Sequence, residues 1–178
     1  MKFQNQFNRN SSRLKDYDYS NGIFFITICT SDKKNFFGEI SDNEMHLSKE
    51  GQIIESIWNM VSISFDYAES GVFVVMPNHF HAIVSINGKN QHEINFNIYS
   101  SPIKGGFAGS KNPMFNENLS TIVRWFKGKC TYDIRKFNKN FSWQSRFHEN
   151  IIRDEISFQN IENYILNNPL NWDSDSLK

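Results

Sequence analysis

The chain has 178 residues, of which 39% are hydrophobic and 15% aromatic, so length and composition favour one folded domain over disorder. Its 19 basic residues balance 19 acidic residues, so net charge alone indicates neither a nucleic-acid nor a membrane partner. No apolar run approaches the roughly 20 residues of a membrane span, and the polar N-terminal sequence lacks a signal-peptide core. We therefore expect one cytoplasmic domain over residues 1–178, with Cys29 and Cys130 as reduced thiols.

Apolar periodicity and turn residues divide the chain into strands and helices. β-branched and aromatic residues predict strands, Ser48 is typical of a helix N-cap, and Pro169 ends the last helix. The predicted elements, in order, are a strand at 23–30, a hairpin at 36–40 and 45–47, a helix over about 49–63, strands at 71–76 and 79–86, a helix over about 119–137, a strand at 146–153 and a helix over about 154–167.

This order of elements predicts an α+β fold. Helices and strands are mixed and several connections are short, which favours an antiparallel sheet with helices packed mainly on one face, in a ferredoxin-like arrangement. Asn, Gly, Ser and Pro dominate residues 87–118, which we interpret as an irregular insertion. Its role is not evident from the sequence.

The tripeptide His79-Phe80-His81 is the sharpest local feature. Side chains alternate across a strand, so His79 and His81 share one face while Phe80 enters the core from the other. Two imidazoles side by side can bind one metal ion, although a divalent ion needs further ligands. Two unrelated strand histidines would give the same tripeptide.

The C-terminal helix offers a tyrosine and an amide at helical spacing. Tyr164 and Asn168 are four residues apart and share a face. An amide oxygen is a suitable ligand for Mg²⁺ or Mn²⁺, and a phenol beside the ion could attack a phosphate that the metal polarises. A packing tyrosine and a helix-capping asparagine remain the structural alternative.

Five ordered segments together resemble the REP-associated tyrosine transposases and the wider group of single-tyrosine HUH transposases. The resemblance extends from about Tyr19 to Trp172 and is carried by Gly22–Thr30, Val74–Val84, Ser120–Lys127, Trp143–Arg153 and Tyr164–Trp172. It implies the ferredoxin-like HUH nuclease fold. It also implies that His79, His81 and Asn168 bind Mg²⁺ or Mn²⁺ and that Tyr164 is the nucleophile.

The same resemblance implies an activity. Members of the family cleave single-stranded DNA near hairpins through a 5′-phosphotyrosine, and the 3′-OH that is released can rejoin strands. We therefore expect a metal-dependent DNA endonuclease and strand transferase in the cytoplasm, associated with the nucleoid. The family tyrosine can serve its own protomer or a partner's, so a monomer and a homodimer both remain open.

A basic stretch from Leu119 to Arg153 is a candidate surface for DNA phosphates. Only Asp133 and Glu149 oppose its basic residues. The predicted DNA contacts are Arg124, Lys127, Lys129, Arg146, His148 and Arg153. His148 could instead be structural. Three aromatic residues nearby, Trp125, Trp143 and Phe147, could stack on bases, although Trp143 and Phe147 could instead belong to the core.

Two other functions fit the same residues. A protein recruited to bind hairpin DNA or RNA would keep the fold without transposition, and a metal hydrolase would use activated water in place of Tyr164. A Tyr164→Phe variant separates the hydrolase, which would stay active, from the transposase-like enzyme.

Overall fold

The computed structural model describes residues 17–88 and 116–178, so most of the predicted insertion at 87–118 lies outside the described residues. The elements are β1 (Asn21–Cys29), β2 (Gly38–Ser41), β3 (Glu44–Leu47), α1 (Lys49–Trp58), α2 (Val61–Ser64), β4 (Ala68–Val75), β5 (His79–Asn87), α3 (Leu119–Ile134), β6 (His148–Ile152) and α4 (Glu155–Leu166). Short 3₁₀ turns occupy Ser31–Lys33 and Pro169–Ser174.

Four of these strands form one antiparallel sheet in the order β4-β5-β1-β6. The strands β1 and β5 are therefore central, and β6 is an edge strand. The hairpin of β2 and β3 is separate from this sheet within the described residues. The predicted α+β fold with an antiparallel sheet is confirmed.

The two faces of the sheet are covered differently. On one face, α1 and α3 pack on alternate residues of β1 and β5, with Phe80 between Trp58 and Phe126. We call this the core face. On the opposite face, α4 inserts Ile165 against Ile83 and Ile152. Most of the helical cover therefore lies on one side, as predicted.

The helix predicted over 49–63 is shorter than expected. Ser48 caps α1 as predicted, accepting a hydrogen bond from the Gly51 backbone N–H, but α1 ends at Trp58 and α2 begins at Val61. Residues 61–64 are two β-branched residues and two serines, which are weak helix formers. Among the described residues, no helix combines the length and apolar character needed to cross a bilayer.

Candidate metal centre and nucleophile

His79 and His81 stand side by side on β5. Their ring centroids are 4.6 Å apart, and both residues are almost completely buried. Phe80, between them, points to the core face. Strand alternation therefore arranges the three residues as the sequence predicts, and we call the side that carries His79, His81 and Thr27 the histidine face.

Each imidazole is held through its Nδ1 atom. His79 Nδ1 lies 2.7 Å from Asn78 Oδ1, and His81 Nδ1 lies 2.8 Å from Thr27 Oγ1. Contacts of this kind orient metal-binding histidines and fix their tautomers. The Nε2 atom of each ring is the nitrogen through which the ring could bind an ion, and His81 Nε2 also faces the Tyr164 hydroxyl at 3.4 Å.

Burial keeps both histidines neutral. It lowers the pKa of His79 to about 4, although the carboxylate of Asp175 opposes the shift. Burial also lowers the pKa of His81 to about 3, and the neighbouring His79 adds to that effect. A histidine must be neutral to bind a metal, so protons do not compete for these nitrogens near neutral pH.

Asn168 approaches the same place from the segment after α4. The helix ends at Leu166, but Asn168 keeps helical backbone angles (φ −59°, ψ −42°). Tyr164 and Asn168 therefore keep the predicted helical spacing, although Asn168 lies beyond the end of the helix. The Asn168 side chain is buried and lies close enough to His79 and Tyr164 to affect the pKa of both.

Asp175 is a further residue of the site that the sequence does not reveal. One of its carboxylate oxygens, Oδ2, lies 3.5 Å from His79 Nε2. Potential ligand atoms of His79, His81 and Asp175 all lie within 4.8 Å of one another. Asp175 follows a short 3₁₀ turn in an acidic C-terminal segment, and no periodicity links it to β5.

The donor set fits a divalent metal ion. His79 Nε2, Asn168 Oδ1 and Asp175 Oδ2 are buried and have no hydrogen-bond partner within the described residues. Such unpaired atoms cost free energy when they are buried without compensation. Imidazole, amide and carboxylate are ligand types that suit Mn²⁺ and related ions, so one ion would satisfy all three atoms.

Tyr164 borders this cluster. Its hydroxyl lies 3.4 Å from His81 Nε2, and its ring packs edge-on against Phe25, which stacks on His81. The side chain is nevertheless 44% exposed. Burial raises the pKa of Tyr164, and the hydrogen bond with Asn168 opposes the rise.

The six predicted DNA contacts do not form one surface. His148 is exposed and pairs with Thr27, which pairs with His81. Directly opposed residues share a face, so His148 lies on the histidine face, about 10 Å from His81 at a strand spacing of about 4.8 Å. Arg146 precedes β6 in the chain and Arg153 follows it, and both are exposed.

The other three predicted contacts belong to α3, on the core side of the sheet. Arg124 is exposed there, Lys127 Nζ donates to the Gln144 carbonyl at 2.6 Å, and Lys129 pairs with Asp133 at 2.7 Å. A shallow groove of about 740 Å³ adjoins Lys127. It lies away from the histidines, so it is not part of the candidate centre.

The aromatic residues of this region pack inward. Trp125, Trp143 and Phe147 are partly buried against the core, and Trp143 Nε1 donates to the Lys127 carbonyl at 3.3 Å. These contacts favour the structural interpretation over base stacking.

A protein of Haemophilus influenzae, described as uncharacterized, is 37% identical over 175 residues, which cover 95% of this chain and 92% of that protein. A solved structure of a REP-associated tyrosine transposase bound to a REP hairpin superposes with a TM-score of 0.59 and 20% identity. The match covers 91% of this chain and 74% of the transposase chain. No protein-family model matches the sequence.

Proposed function

Because the chain belongs to the family of the Haemophilus influenzae protein and has the fold of the REP-associated tyrosine transposase, we propose that it is a metal-dependent single-stranded DNA endonuclease and strand transferase. Tyr164 is the proposed nucleophile. His79, His81 and Asn168 are the proposed metal ligands, joined by Asp175. The proposal combines this shared fold with the chemistry of the site.

One observation carries the proposal: the hydroxyl of Tyr164, a residue that is 44% exposed, lies 3.4 Å from a nitrogen of a buried histidine pair. A tyrosine that served only for packing would not need its hydroxyl beside unpaired metal-ligand atoms. Exposure lets an extended strand reach the hydroxyl. Burial of the histidines keeps their nitrogens neutral and fixed.

The proposed step is a transesterification. The Tyr164 hydroxyl oxygen bonds to a backbone phosphorus and its proton passes to solvent, while the bond from phosphorus to the 3′ oxygen breaks. The leaving oxygen takes up a proton and becomes a 3′-OH, and the segment on the 3′ side of the break stays linked to Tyr164 through its 5′ phosphate. Attack by a 3′-OH on that linkage reverses the step and rejoins strands without an external energy source.

A bound divalent ion would polarise the scissile phosphate and offset charge that develops on its oxygens. The chain's own residues prepare this environment. His79 and His81 present neutral nitrogens, and Phe25 supports both His81 and Tyr164. Asn168 lies close to both His79 and the proposed nucleophile.

DNA would approach on the histidine face, where His148 and Asn150 are exposed on the edge strand β6. The solved transposase is bound to a REP hairpin, and we propose hairpin-bearing single-stranded DNA as the substrate of this chain also. Arg146 and Arg153 flank β6 in the chain and are proposed phosphate contacts on this edge of the sheet. The α3 residues Arg124, Lys127 and Lys129 would contact only a substrate that reaches the other side of the sheet.

A covalent-adduct assay tests the nucleophile. Labelled single-stranded hairpins from DNA flanking the gene are incubated with protein and Mn²⁺ and separated on a denaturing gel. We expect a metal-dependent protein–DNA band that disappears in Tyr164→Phe and His79→Ala. Tyr132→Phe is the matched control, because Tyr132 is 67% exposed on α3, and this variant should form the adduct normally.

Two outcomes would contradict the proposal. Cleavage without an adduct, retained in Tyr164→Phe, would indicate hydrolysis by activated water. Hairpin binding with neither cleavage nor adduct across a panel of flanking sequences would indicate a recruited binding protein.

A second prediction concerns the origin of the nucleophile. The close contact between Tyr164 and His81 lies within one chain, so we expect each protomer to use its own tyrosine. A mixture of Tyr164→Phe and His79→Ala proteins should therefore remain inactive in the adduct assay. Recovery of activity in the mixture would indicate a tyrosine supplied by a partner subunit.

A further inference from the structure

Asn78 lies where four segments of the chain meet beside the metal centre. It is 2% exposed and directly precedes β5. Its backbone carbonyl accepts hydrogen bonds from the N–H and the hydroxyl of Thr30, both at 2.9 Å. These two hydrogen bonds fix the backbone of Asn78 beside the end of β1.

The side-chain amide of Asn78 has one permitted orientation. Its Nδ2 atom donates to the carbonyl of Leu177 at 2.9 Å and to that of Lys33 at 3.3 Å. Carbonyls only accept, so the amide nitrogen must face them and Oδ1 must face His79. Oδ1 also only accepts, so the His79 proton lies on Nδ1, which donates at 2.7 Å. The lone pair of His79 is thus on Nε2.

The same amide also fixes the segment that carries Asp175. Leu177, whose carbonyl Asn78 holds, donates its backbone N–H to Asp175 Oδ1 at 2.7 Å. That hydrogen bond occupies one carboxylate oxygen. The other, Oδ2, is directed to within 3.5 Å of His79 Nε2. Hydrogen bonds therefore link Asn78 to both proposed ligands, directly to His79 and through Leu177 to Asp175.

We propose that Asn78 is a positioning residue that prepares two metal ligands together: it sets the tautomer of His79 through Oδ1 and the placement of Asp175 through Nδ2 and Leu177. The inference rests on the metal site of the proposed function. Lys33 assists, since its Nζ donates to the carbonyls of Ser176 and Lys178 at 3.1 and 3.3 Å.

Direct Mn²⁺ binding without DNA tests this role. The affinity is obtained from the electron paramagnetic resonance signal of free Mn²⁺. Partners that orient metal ligands typically contribute 10- to 100-fold in affinity, so we expect Asn78→Ala to weaken binding by about that factor. Asn78→Asp keeps an acceptor for His79 but places a carboxylate oxygen against the carbonyls of Leu177 and Lys33, so it should weaken binding through the placement of Asp175 alone.

A double-variant comparison separates positioning from general structure. In an Asp175→Ala background, Asn78→Asp should cost little further affinity, because the segment that it would release no longer carries a ligand. Asn138→Ala is the matched control. Asn138 also makes a side-chain hydrogen bond, to Glu50 at 2.8 Å, but lies elsewhere, so its loss should lower stability and leave Mn²⁺ affinity unchanged.

Two results would overturn the inference: Mn²⁺ affinity in folded Asn78→Ala equal to that of the wild type, or no Mn²⁺ binding by the wild type. If Asn78→Ala does not fold, equal affinities of Asn78→Asp and wild type would overturn it. A failure of the DNA reaction alone is a separate outcome, because the adduct assay reports Tyr164 chemistry and the resonance signal reports metal binding.

Discussion

At the scale of single residues, the two buried histidines make the free energy of unfolding depend on pH. Their pKa values, about 4 for His79 and about 3 for His81, lie below the ordinary histidine value near 6.5. Below about pH 6.5 the unfolded chain therefore binds protons that the folded chain does not. The free energy of unfolding must fall as pH falls through this range and be fully recovered above it.

This linkage can be measured on the metal-free protein. Urea unfolding in the presence of EDTA, from pH 7.5 down to 4.5, should show a loss of up to about 1.4 kcal/mol per pH unit for each histidine. His79→Gln should reduce the slope. An unchanged slope in His79→Gln would contradict a neutral, buried His79.

The sequence predicts those site residues that follow a local period. Strand alternation places His79 with His81, and helical spacing brings Asn168 near Tyr164. Asp175 and Asn78 could not be predicted in the same way, because their positions depend on hydrogen bonds across the fold. The contact between Asn78 and Leu177 joins residues 99 positions apart, and no local pattern encodes it.

At the scale of elements, the helix α4 carries the proposed nucleophile and has few buried residues. Ile165 is its one fully buried residue, and it packs against Ile83 and Ile152 on the histidine face. Tyr164 is adjacent to this anchor in sequence. Phe158 and Ile161 of the same helix are only partly buried against this cluster, so Ile165 is the best-packed support of the hydroxyl within α4.

We predict that Ile165→Ala impairs the reaction beyond its effect on stability. Truncation of a buried isoleucine costs roughly 2–5 kcal/mol, and here the resulting cavity lies beneath the nucleophile. Ile134→Ala is the matched control, since Ile134 is also fully buried but lies on α3. Adduct formation is compared at a temperature where both variants are folded, and equal rates would contradict the role of Ile165.

Element boundaries and orientations show where sequence patterns stop being sufficient. The caps of α1 and α4 are local: Ser48 accepts the backbone hydrogen bond expected of an N-cap, and Asp154 caps α4 in the same way. No local pattern indicates on which side of the sheet α3 packs. From the sequence, the basic residues of α3 are therefore grouped with the other predicted DNA contacts, although α3 packs on the opposite side of the sheet from His81.

At the scale of the whole molecule, the proposed metal ligands come from two parts of the chain that are far apart in sequence: strand β5, and the segment after α4 that contains Asn168 and Asp175. An ion that binds only the folded arrangement stabilises it by mass action. Mn²⁺ at about 100 times its Kd should add about 2.7 kcal/mol, which corresponds to a Tm increase of roughly 5–10 °C for a chain of this size.

Thermal unfolding with Mn²⁺ and with EDTA measures this stabilisation. His79→Ala and Asp175→Ala should lose most of the increase, and Tyr164→Phe should keep it, because the phenol is not among the proposed ligands. An equal Tm increase in wild type and His79→Ala would place the ion elsewhere.

The mixture of ligand types also determines the electrical character of the centre. Two neutral imidazoles, one amide and a single carboxylate would leave a divalent ion with one net positive charge, in a chain whose 19 basic and 19 acidic residues cancel. A phosphodiester carries one negative charge, so the ion itself would supply the local attraction that DNA-binding proteins otherwise obtain from lysine and arginine. Affinity for DNA would then be switched on by metal, and it would depend less steeply on salt than binding by a basic surface.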